Sequence, residues 1–135
     1  MITRFSKVTI VRIRKEPEED LNKEIQWFSD TLGLFNERDK EKSCFRLFVE
    51  LLKAAKQKRP MSSDELAFKL NLSRGTVVHH LRNLISKGIV VTEDNKYMLR
   101  KGNLKEIVKS IWQDVDTVMA NLQDEAEKID KKLKN

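Results

Sequence analysis

Two short helices joined by a tight turn, between Ser62 and Gly88, constrain the fold of this chain more than any other feature. Ser62 and Glu65 form a capping box, in which each side chain binds the other residue's backbone amide, so a helix begins after Ser62. Ser73 is a second N-cap residue, and a new helix starts directly after it. Gly88 ends this second helix because glycine adopts the left-handed backbone conformation at little cost. The pattern predicts a helix-turn-helix.

The second helix has an apolar face and a polar face. Its predicted core residues recur at i, i+4 and i+7: Val77, Leu81 and Leu84. Residues spaced four apart share the opposite face: Arg74, Val78 and Arg82. This face is therefore predicted to be open to a partner.

A hairpin is predicted directly after the two helices. A β-branched run from Ile89 is followed by the turn Glu93-Asp94-Asn95 and by an alternating run to Arg100, so two strands are expected over about residues 89–100. A helix-turn-helix followed by such a hairpin is a winged helix-turn-helix. The second helix of this module, here about residues 73–86, usually enters the DNA major groove.

Residues 72–90 resemble the winged-helix regulators of archaea and bacteria, nearest to the ArsR-like family and less closely to the MarR-like family. The resemblance is carried by the pattern Leu72-Ser73-x-x-Thr76-Val77-x-x-His80-Leu81-x-x-Leu84-x-x-x-Gly88-Ile89-Val90. With the flanking elements it covers roughly residues 40–101, and it implies a transcription regulator that binds double-stranded DNA. Many ArsR-like proteins sense metals through a cysteine pair near the first helix of the motif. This chain has a single cysteine, Cys44, so no metal site of that kind is expected.

The positive charge of the chain is concentrated in the same segment. Residues 40–101 carry 14 Lys or Arg and 6 Asp or Glu, a net charge of +8, whereas the segments before and after it each carry −1. A localised excess of this sign is expected of a protein that binds DNA phosphates. A solvated lysine surface is the alternative explanation, and the helix-turn-helix pattern favours DNA.

Base and phosphate contacts can be assigned from position on the second helix and the wing. Base-edge contact is predicted at the amino-terminal end of the helix: Arg74, Thr76, Val78 and His79. Phosphate contact is predicted for a second set: Ser73, Arg82, Asn83, Lys87, Asn95 and Lys96. Neighbouring residues on a helix point about 100° apart, so His79 and His80 do not chelate one metal ion together. His80 is predicted to be a hydrogen-bonded structural residue.

The last segment of the chain is predicted to be one long helix that dimerises. From Asn103 onward there is no Pro or Gly for 33 residues, and apolar residues recur with heptad spacing. The predicted interface residues are Leu104, Val108, Ile111, Trp112, Val115, Val118, Met119, Leu122 and Ile129. A helix of about 30 residues is roughly 45 Å long, more than a domain of this size covers. Packing against its own domain is the alternative to a homodimer.

The first segment is predicted to contain a strand and a helix. Residues 4–14 are rich in β-branched residues, which predicts a strand that pairs with the wing or with a second subunit. Pro17, the acidic residues after it and Gly33 predict a helix over about 17–32, and a further helix is expected over 40–58, with Cys44 buried in it rather than acting as a redox-sensing thiol. Trp27 is predicted to widen a packing face rather than line a ligand site.

These elements define the expected architecture. The fold class is mainly α with a small β-hairpin (α+β): a winged helix-turn-helix with a long C-terminal dimerisation helix and an N-terminal strand-helix extension. The expected divisions are 1–39 (extension), 40–101 (DNA-binding domain) and 102–135 (long helix).

Other functions are less favoured by the sequence. No segment has the roughly 18 continuous apolar residues of a membrane span, and no secretory signal is present, so we expect a cytoplasmic protein. No phosphate loop or nucleophile elbow is present, and the chain has only 4 glycines with which to build one, so no catalytic residue and no cofactor are expected, and no effector is evident. The alternatives are a winged-helix protein-interaction module, a non-specific chromatin or nucleic-acid-binding protein and, less favoured, an RNA-binding protein.

Overall fold

The computed structural model describes residues 8–17, 19–35, 39 and 42–134. Five helices and three short strands occur in these residues. They are α1 (Leu21–Thr31), α2 (Ser43–Lys56), β1 (Met61–Ser62), α3 (Ser63–Leu70), α4 (Arg74–Ser86), β2 (Val90–Glu93), β3 (Lys96–Leu99) and α5 (Leu104–Lys134). The chain divides into two compact units, residues 1–103 and residues 104–135. The predicted fold class, a mainly helical winged helix-turn-helix with a long final helix, is confirmed.

The helix-turn-helix forms where its caps predict it. The Glu65 amide donates to Ser62 Oγ over 3.1 Å, and the Ser62 amide donates back to the Glu65 carboxylate over 3.3 Å, which completes the capping box of α3. The same amide contact holds the pKa of Glu65 below its usual value. Asn71, in the left-handed conformation, ends α3, and Gly88, with φ 78°, follows α4. Local hydrogen bonding thus defines both helices.

The wing is part of a three-stranded sheet. β2 and β3 pair antiparallel, with Val90 opposite Leu99, and both residues of the turn between them, Asp94 and Asn95, have positive φ. This is the geometry of a tight hairpin turn. β1 pairs with the other edge of β3, with Met61 opposite Tyr97, so β3 is the central strand. β1 has only two residues, too few to show an alternating pattern, and the sequence did not predict it.

The core of the first unit lies between α2, α3, α4 and the sheet. Its fully buried side chains come from each of these elements, and the largest are Leu47, Phe48, Leu51, Leu66, Val77, Leu81, Leu84, Ile89 and Val90. In α2 the buried residues include Leu47 and Ala54, whereas Phe45, Leu52 and Ala55 are only partly covered. Burying a leucine-sized side chain contributes about 1.5–3 kcal/mol, so this cluster dominates the stability of the unit.

The predicted N-terminal strand is not formed in its described part. Residues 8–14 form no strand and belong to no sheet, and residues 4–7 lie outside the described residues. The segment runs along α1 instead: the Val11 amide donates to the Thr31 carbonyl over 2.7 Å, and Trp27 Nε1 donates to the Ile13 carbonyl over 3.2 Å. A strand needs a neighbouring strand to form a hydrogen-bonded ladder. Here the segment binds a helix, so no ladder develops.

α1 begins later than Pro17, the start predicted from the sequence. Its N-cap residue is Asp20, whose carboxylate accepts from the amides of Asn22, over 2.8 Å, and Lys23, over 3.4 Å. An aspartate that binds these otherwise unsatisfied amides determines where the helix starts. Pro17 therefore lies before the helix rather than in its first turn.

α5 forms as one uninterrupted helix from Leu104 to Lys134, as predicted. Its buried residues, Ile107, Ser110 and Ile111, all lie near its amino end. From Trp112 to Lys134 its residues are exposed apart from Asp114 and Val115, which are partly covered. Among the described residues, no helix is both long enough and apolar enough to cross a bilayer.

Candidate nucleic-acid interface

The amino-terminal turn of α4 is fixed by its own side chains. Ser73 caps the helix: its Oγ accepts from the Thr76 amide over 3.1 Å and donates to Thr76 Oγ1 over 2.8 Å. The Thr76 hydroxyl proton remains able to donate outward, because Oγ1 is the acceptor in this pair. Two residues predicted to contact DNA thus stabilise each other on one exposed turn.

Three residues on the outward side of α4 are exposed: Arg74, His79 and Arg82. Arg74 Nε lies 3.5 Å from a carboxylate oxygen of Asp64 at the start of α3, and both side chains are about three-quarters exposed. Such a surface ion pair contributes little to stability, so Arg74 can exchange this carboxylate for another acceptor. Val78 lies on the same side and is half-buried.

Gly75 leaves a gap in this surface. A Cβ at Gly75 would have no heavy atom within 4 Å, and the residue is exposed in the first turn of α4. Its conformation does not require glycine, so no internal contact of the fold explains why a side chain is missing here. The backbone of this turn can be approached closely from outside.

The inward side of α4 is held by the N-terminal extension. Asn83 Nδ2 donates to the Leu34 carbonyl over 3.0 Å, and Lys87 Nζ donates to the Gly33 carbonyl. Both side chains are partly buried by these contacts. Phosphate contact was predicted for Asn83 and Lys87, and in the structure each side chain donates to a carbonyl of the N-terminal extension. Sequence spacing did not reveal this, because the acceptors lie about fifty residues away in the chain.

His80 also faces inward, as predicted for a structural histidine. Its Nε2 lies 2.7 Å from Ser43 Oγ at the start of α2. Burial lowers the pKa of His80, the Asp39 carboxylate opposes this change, and His79 adds to it. The rings of His79 and His80 are 5.6 Å apart between centroids and tilted by 56°. The contact with Ser43 links His80 on α4 to the start of α2.

Cys44 is buried, as predicted. Burial, with a smaller contribution from the Asp39 charge, raises the pKa of the Cys44 thiol to about 12. A thiol with this pKa is protonated at neutral pH and therefore a poor nucleophile. Cys44 serves as a small apolar residue of the core.

Comparison with known proteins identifies the family of the helix-turn-helix segment. Residues 49–92 match the family described as bacterial regulatory protein, arsR family. This segment is an ArsR-family helix-turn-helix domain. A domain of this family supports a DNA-binding transcription regulator. The match covers about a third of the chain, and no curated protein and no solved structure matches it.

The β2–β3 hairpin carries polar residues at its tip. Asn95 and Lys96 are both exposed there, next to the turn formed by Asp94 and Asn95. Thr92 Oγ1 donates to the Lys96 carbonyl over 3.0 Å and fixes the backbone across this turn. The backbone that carries the Lys96 side chain is thus held by this hydrogen bond.

Other cations of the winged helix-turn-helix have partners within the protein. Arg46 Nη2 donates to the Leu70 carbonyl at the end of α3 over 2.5 Å. Lys69 lies 3.1 Å from Glu50, and Arg59 forms an ion pair with Glu65. Arg46 thus binds a carbonyl of the protein itself, and Lys69 and Arg59 are paired with two of the carboxylates that the net charge of +8 already counts. The sequence gives the charge, but only the contacts show which cations are engaged.

The predicted dimer residues of α5 fall into two groups. Ile111 is buried and Leu104 and Val115 are half-buried in the single chain. The others are exposed large apolar residues: Val108, Trp112, Val118, Met119, Leu122 and Ile129. Leu133, beyond the predicted set, is the most exposed of this stripe.

Proposed function

We propose that the chain binds specific double-stranded DNA as a homodimer, with α4 in the major groove and the β2–β3 hairpin on the backbone or in the minor groove. The observation that carries the proposal is the exposed first turn of α4, which combines Arg74, the side-chain gap at Gly75 and the Ser73 cap. A recognition helix makes its base contacts through its amino-terminal residues.

Arg74 is the residue best suited to contact a base. A guanidinium group donates two parallel hydrogen bonds to guanine in the major groove, and each such pair contributes about 1–3 kcal/mol of discrimination. His79 is exposed and can contact a base edge, and the half-buried Thr76 and Val78 can contact a thymine methyl group. Gly75 allows the helix backbone to approach the DNA closely.

Phosphate contacts are assigned to the flanks of this surface. The candidates are Ser73, Arg82, Asn95 and Lys96. Asn83 and Lys87 are left out because their polar atoms already bind the carbonyls of Leu34 and Gly33. Phosphate contacts position the protein and make binding depend on salt, whereas base contacts make it depend on sequence.

The homodimer is supported by the exposed apolar stripe of α5. A stripe that includes Trp112, Leu122 and Leu133 is unfavourable in water and stable when covered. Twofold proteins place paired recognition helices one helical turn of DNA apart, or a multiple of it, on a palindromic site. The dimer therefore predicts an operator with twofold symmetry.

The experiment begins with selection of duplexes from a random pool by the full chain, followed by fluorescence anisotropy titration of a selected and a scrambled duplex at two salt concentrations. We expect preferential, salt-sensitive binding to a palindrome. Arg74→Ala should reduce the preference between the two duplexes, whereas Lys96→Ala should weaken binding to both and lower the salt slope by about one. Lys134→Ala, which removes an exposed cation of α5, is the matched charge control and should leave both properties unchanged.

The outcomes separate the proposal from its alternatives. Equal loss on both duplexes from Arg74→Ala would remove the base-contact role of this residue. Equal binding of the unsubstituted chain to all duplexes would indicate a non-specific chromatin protein. If no duplex is bound at low salt, the winged helix acts as a protein-interaction module.

A further inference from the structure

α5 presents one unbroken apolar seam along most of its length. Its positions are separated alternately by four and three residues, as in a coiled coil. The seam residues are Val108, Trp112, Val115, Met119, Leu122, Ala126, Ile129 and Leu133, and all of them except the half-buried Val115 are exposed. The second stripe predicted from the sequence, through Leu104, Ile111 and Val118, is interrupted at Glu125 and contains the buried Ile111. Of these two stripes, the first is the one that can pair with another helix over its full length.

The side chains of the seam differ sharply in size. In a parallel pair each residue meets its own copy, so Trp112 would face Trp112 and Ala126 would face Ala126. The helices would be forced apart at one layer and left with a gap at the other, and both overpacking and gaps are unfavourable. In an antiparallel pair the same positions mix: Trp112 meets Ile129, Val115 meets Ala126, and Met119 meets Leu122. The layers are then more even in width.

The charges beside the seam distinguish the two orientations more clearly. In a parallel pair Glu125, which precedes the seam residue Ala126, faces Asp130 of the other copy. By symmetry this contact between two acids occurs twice. In the antiparallel pair, facing contacts form between the residues that directly follow four of the seam residues: Val108, Val115, Leu122 and Ile129. Lys109 then meets Asp130, and Asp116 meets Gln123. The parallel pair thus contains a repulsive contact where the antiparallel pair contains an attractive one.

We infer that α5 pairs with α5 of a second copy in the antiparallel orientation, with Val108 opposite Leu133 and Met119 opposite Leu122. This inference rests on the homodimer proposed above and gives it a geometry. Both copies overlap along the whole seam, because Val108 and Leu133 are its two ends.

The antiparallel arrangement places the amino-terminal ends of the two α5 helices far apart. Residue 104 of one copy and residue 104 of the other lie at opposite ends of the pair, about 50 Å apart along its axis. In a parallel pair these residues would be side by side. Orientation therefore determines how far apart the two ArsR-family domains are anchored.

Cross-linking of single-cysteine variants of the full chain with a short bismaleimide tests the inference. The two copies of Leu133 are offset by 25 residues in the antiparallel pair, or about 37 Å of helix. Leu133→Cys alone should give no covalent dimer, whereas a mixture of Val108→Cys and Leu133→Cys chains should give one. Met119→Cys lies near the centre of the pair, so it should cross-link in either orientation. The unsubstituted chain, with its buried Cys44 thiol, is the background control.

Charge exchange provides a second measurement that does not depend on cysteine. Lys109→Glu should weaken the dimer by bringing two acids together, and adding Asp130→Lys should restore it, as followed by light scattering across a dilution series. Asp130→Lys alone should weaken the antiparallel pair, because it brings two lysines together. In a parallel pair it would strengthen the dimer, because it removes the repulsion with Glu125, and Lys109→Glu would have little effect.

Each outcome has a separate meaning. Covalent dimers from Leu133→Cys alone would overturn the antiparallel orientation and leave the homodimer in place. Failure of Met119→Cys to cross-link, with a dimer still seen by light scattering, would overturn the seam. A monomer at every concentration would remove the homodimer from the proposed function as well.

Discussion

α4 and α5 both carry an apolar stripe, but the two stripes have opposite surroundings. In α4 the stripe of Val77, Leu81 and Leu84 is buried, and the opposite face is polar and exposed. In α5 the seam that includes Met119 and Leu122 faces water. Similar periodicity thus has two consequences: one helix completes the core of its own unit, and the other is left to be covered by a partner. The predictions below test this difference between the helices.

Leucine truncation should give the largest effect and the clearest contrast. Leu81→Ala removes a side chain that is 1% exposed and should lower the free energy of unfolding by about 2–5 kcal/mol through lost burial and the cavity left behind. Leu122→Ala should leave the stability of the winged unit unchanged and instead weaken dimerisation. Denaturant unfolding at several protein concentrations measures both effects. A concentration-independent loss of several kcal/mol in Leu122→Ala would contradict the contrast.

Substitutions of two neighbouring residues on α4 should separate an effect on protein stability from an effect on DNA binding. Asn83→Ala leaves the Leu34 carbonyl without this donor and should cost about 1–3 kcal/mol of stability. Arg82→Ala, one residue away and exposed, should change stability by no more than about 0.5 kcal/mol. It should instead lower the salt dependence of DNA binding. Thermal unfolding together with anisotropy titration distinguishes the two, and the reverse pattern would exchange their roles.

Gly75→Ala should stabilise the protein and weaken its binding to DNA. Alanine restricts the unfolded chain and meets nothing in the fold, so stability should rise by about 0.4–1 kcal/mol. The added methyl group would occupy the gap through which the helix backbone approaches DNA. Unfolding and duplex titration of the same preparation test this prediction. Tighter or unchanged DNA binding would show that the gap is not part of the interface.

The smallest expected effect is a pH dependence from His80. Its pKa is lowered in the folded protein, mainly by burial, so the unfolded chain binds a proton more readily. Stability from this residue is therefore complete above about pH 6.5 and decreases as the pH falls below that value. His80→Gln should flatten this slope, whereas the exposed His79→Gln should retain most of it. Denaturation midpoints between pH 5 and pH 7.5 are the measurement.

The elements defined by local chemistry were predictable. The capping box at Ser62 and Glu65, the Ser73 cap and Gly88 each act over a few residues, so the bounds of α3 and α4 follow from sequence order. The hairpin and the core residues Val77, Leu81 and Leu84 follow from their spacing in the same way. The helix-turn-helix lies within residues 49–92, the segment that matches the arsR family.

The sequence did not reveal contacts whose partner lies far away in the chain. Residues 8–14 have the composition of a strand, but whether a strand forms depends on a neighbouring strand, and α1 lies beside them instead. Asn83 and Lys87 have the residue types of phosphate ligands, and only the folded chain brings the carbonyls of Leu34 and Gly33 to them.

The sequence by itself determined the helix-turn-helix, its hairpin and the long final helix, because caps, turns and apolar periodicity act between residues close in the chain. The tertiary structure decided which polar side chains of α4 are committed inward, which residues of α5 are left exposed, and that β1 joins the sheet. Those properties depend on contacts between distant residues, and a side chain's type and position in the sequence do not specify its neighbours.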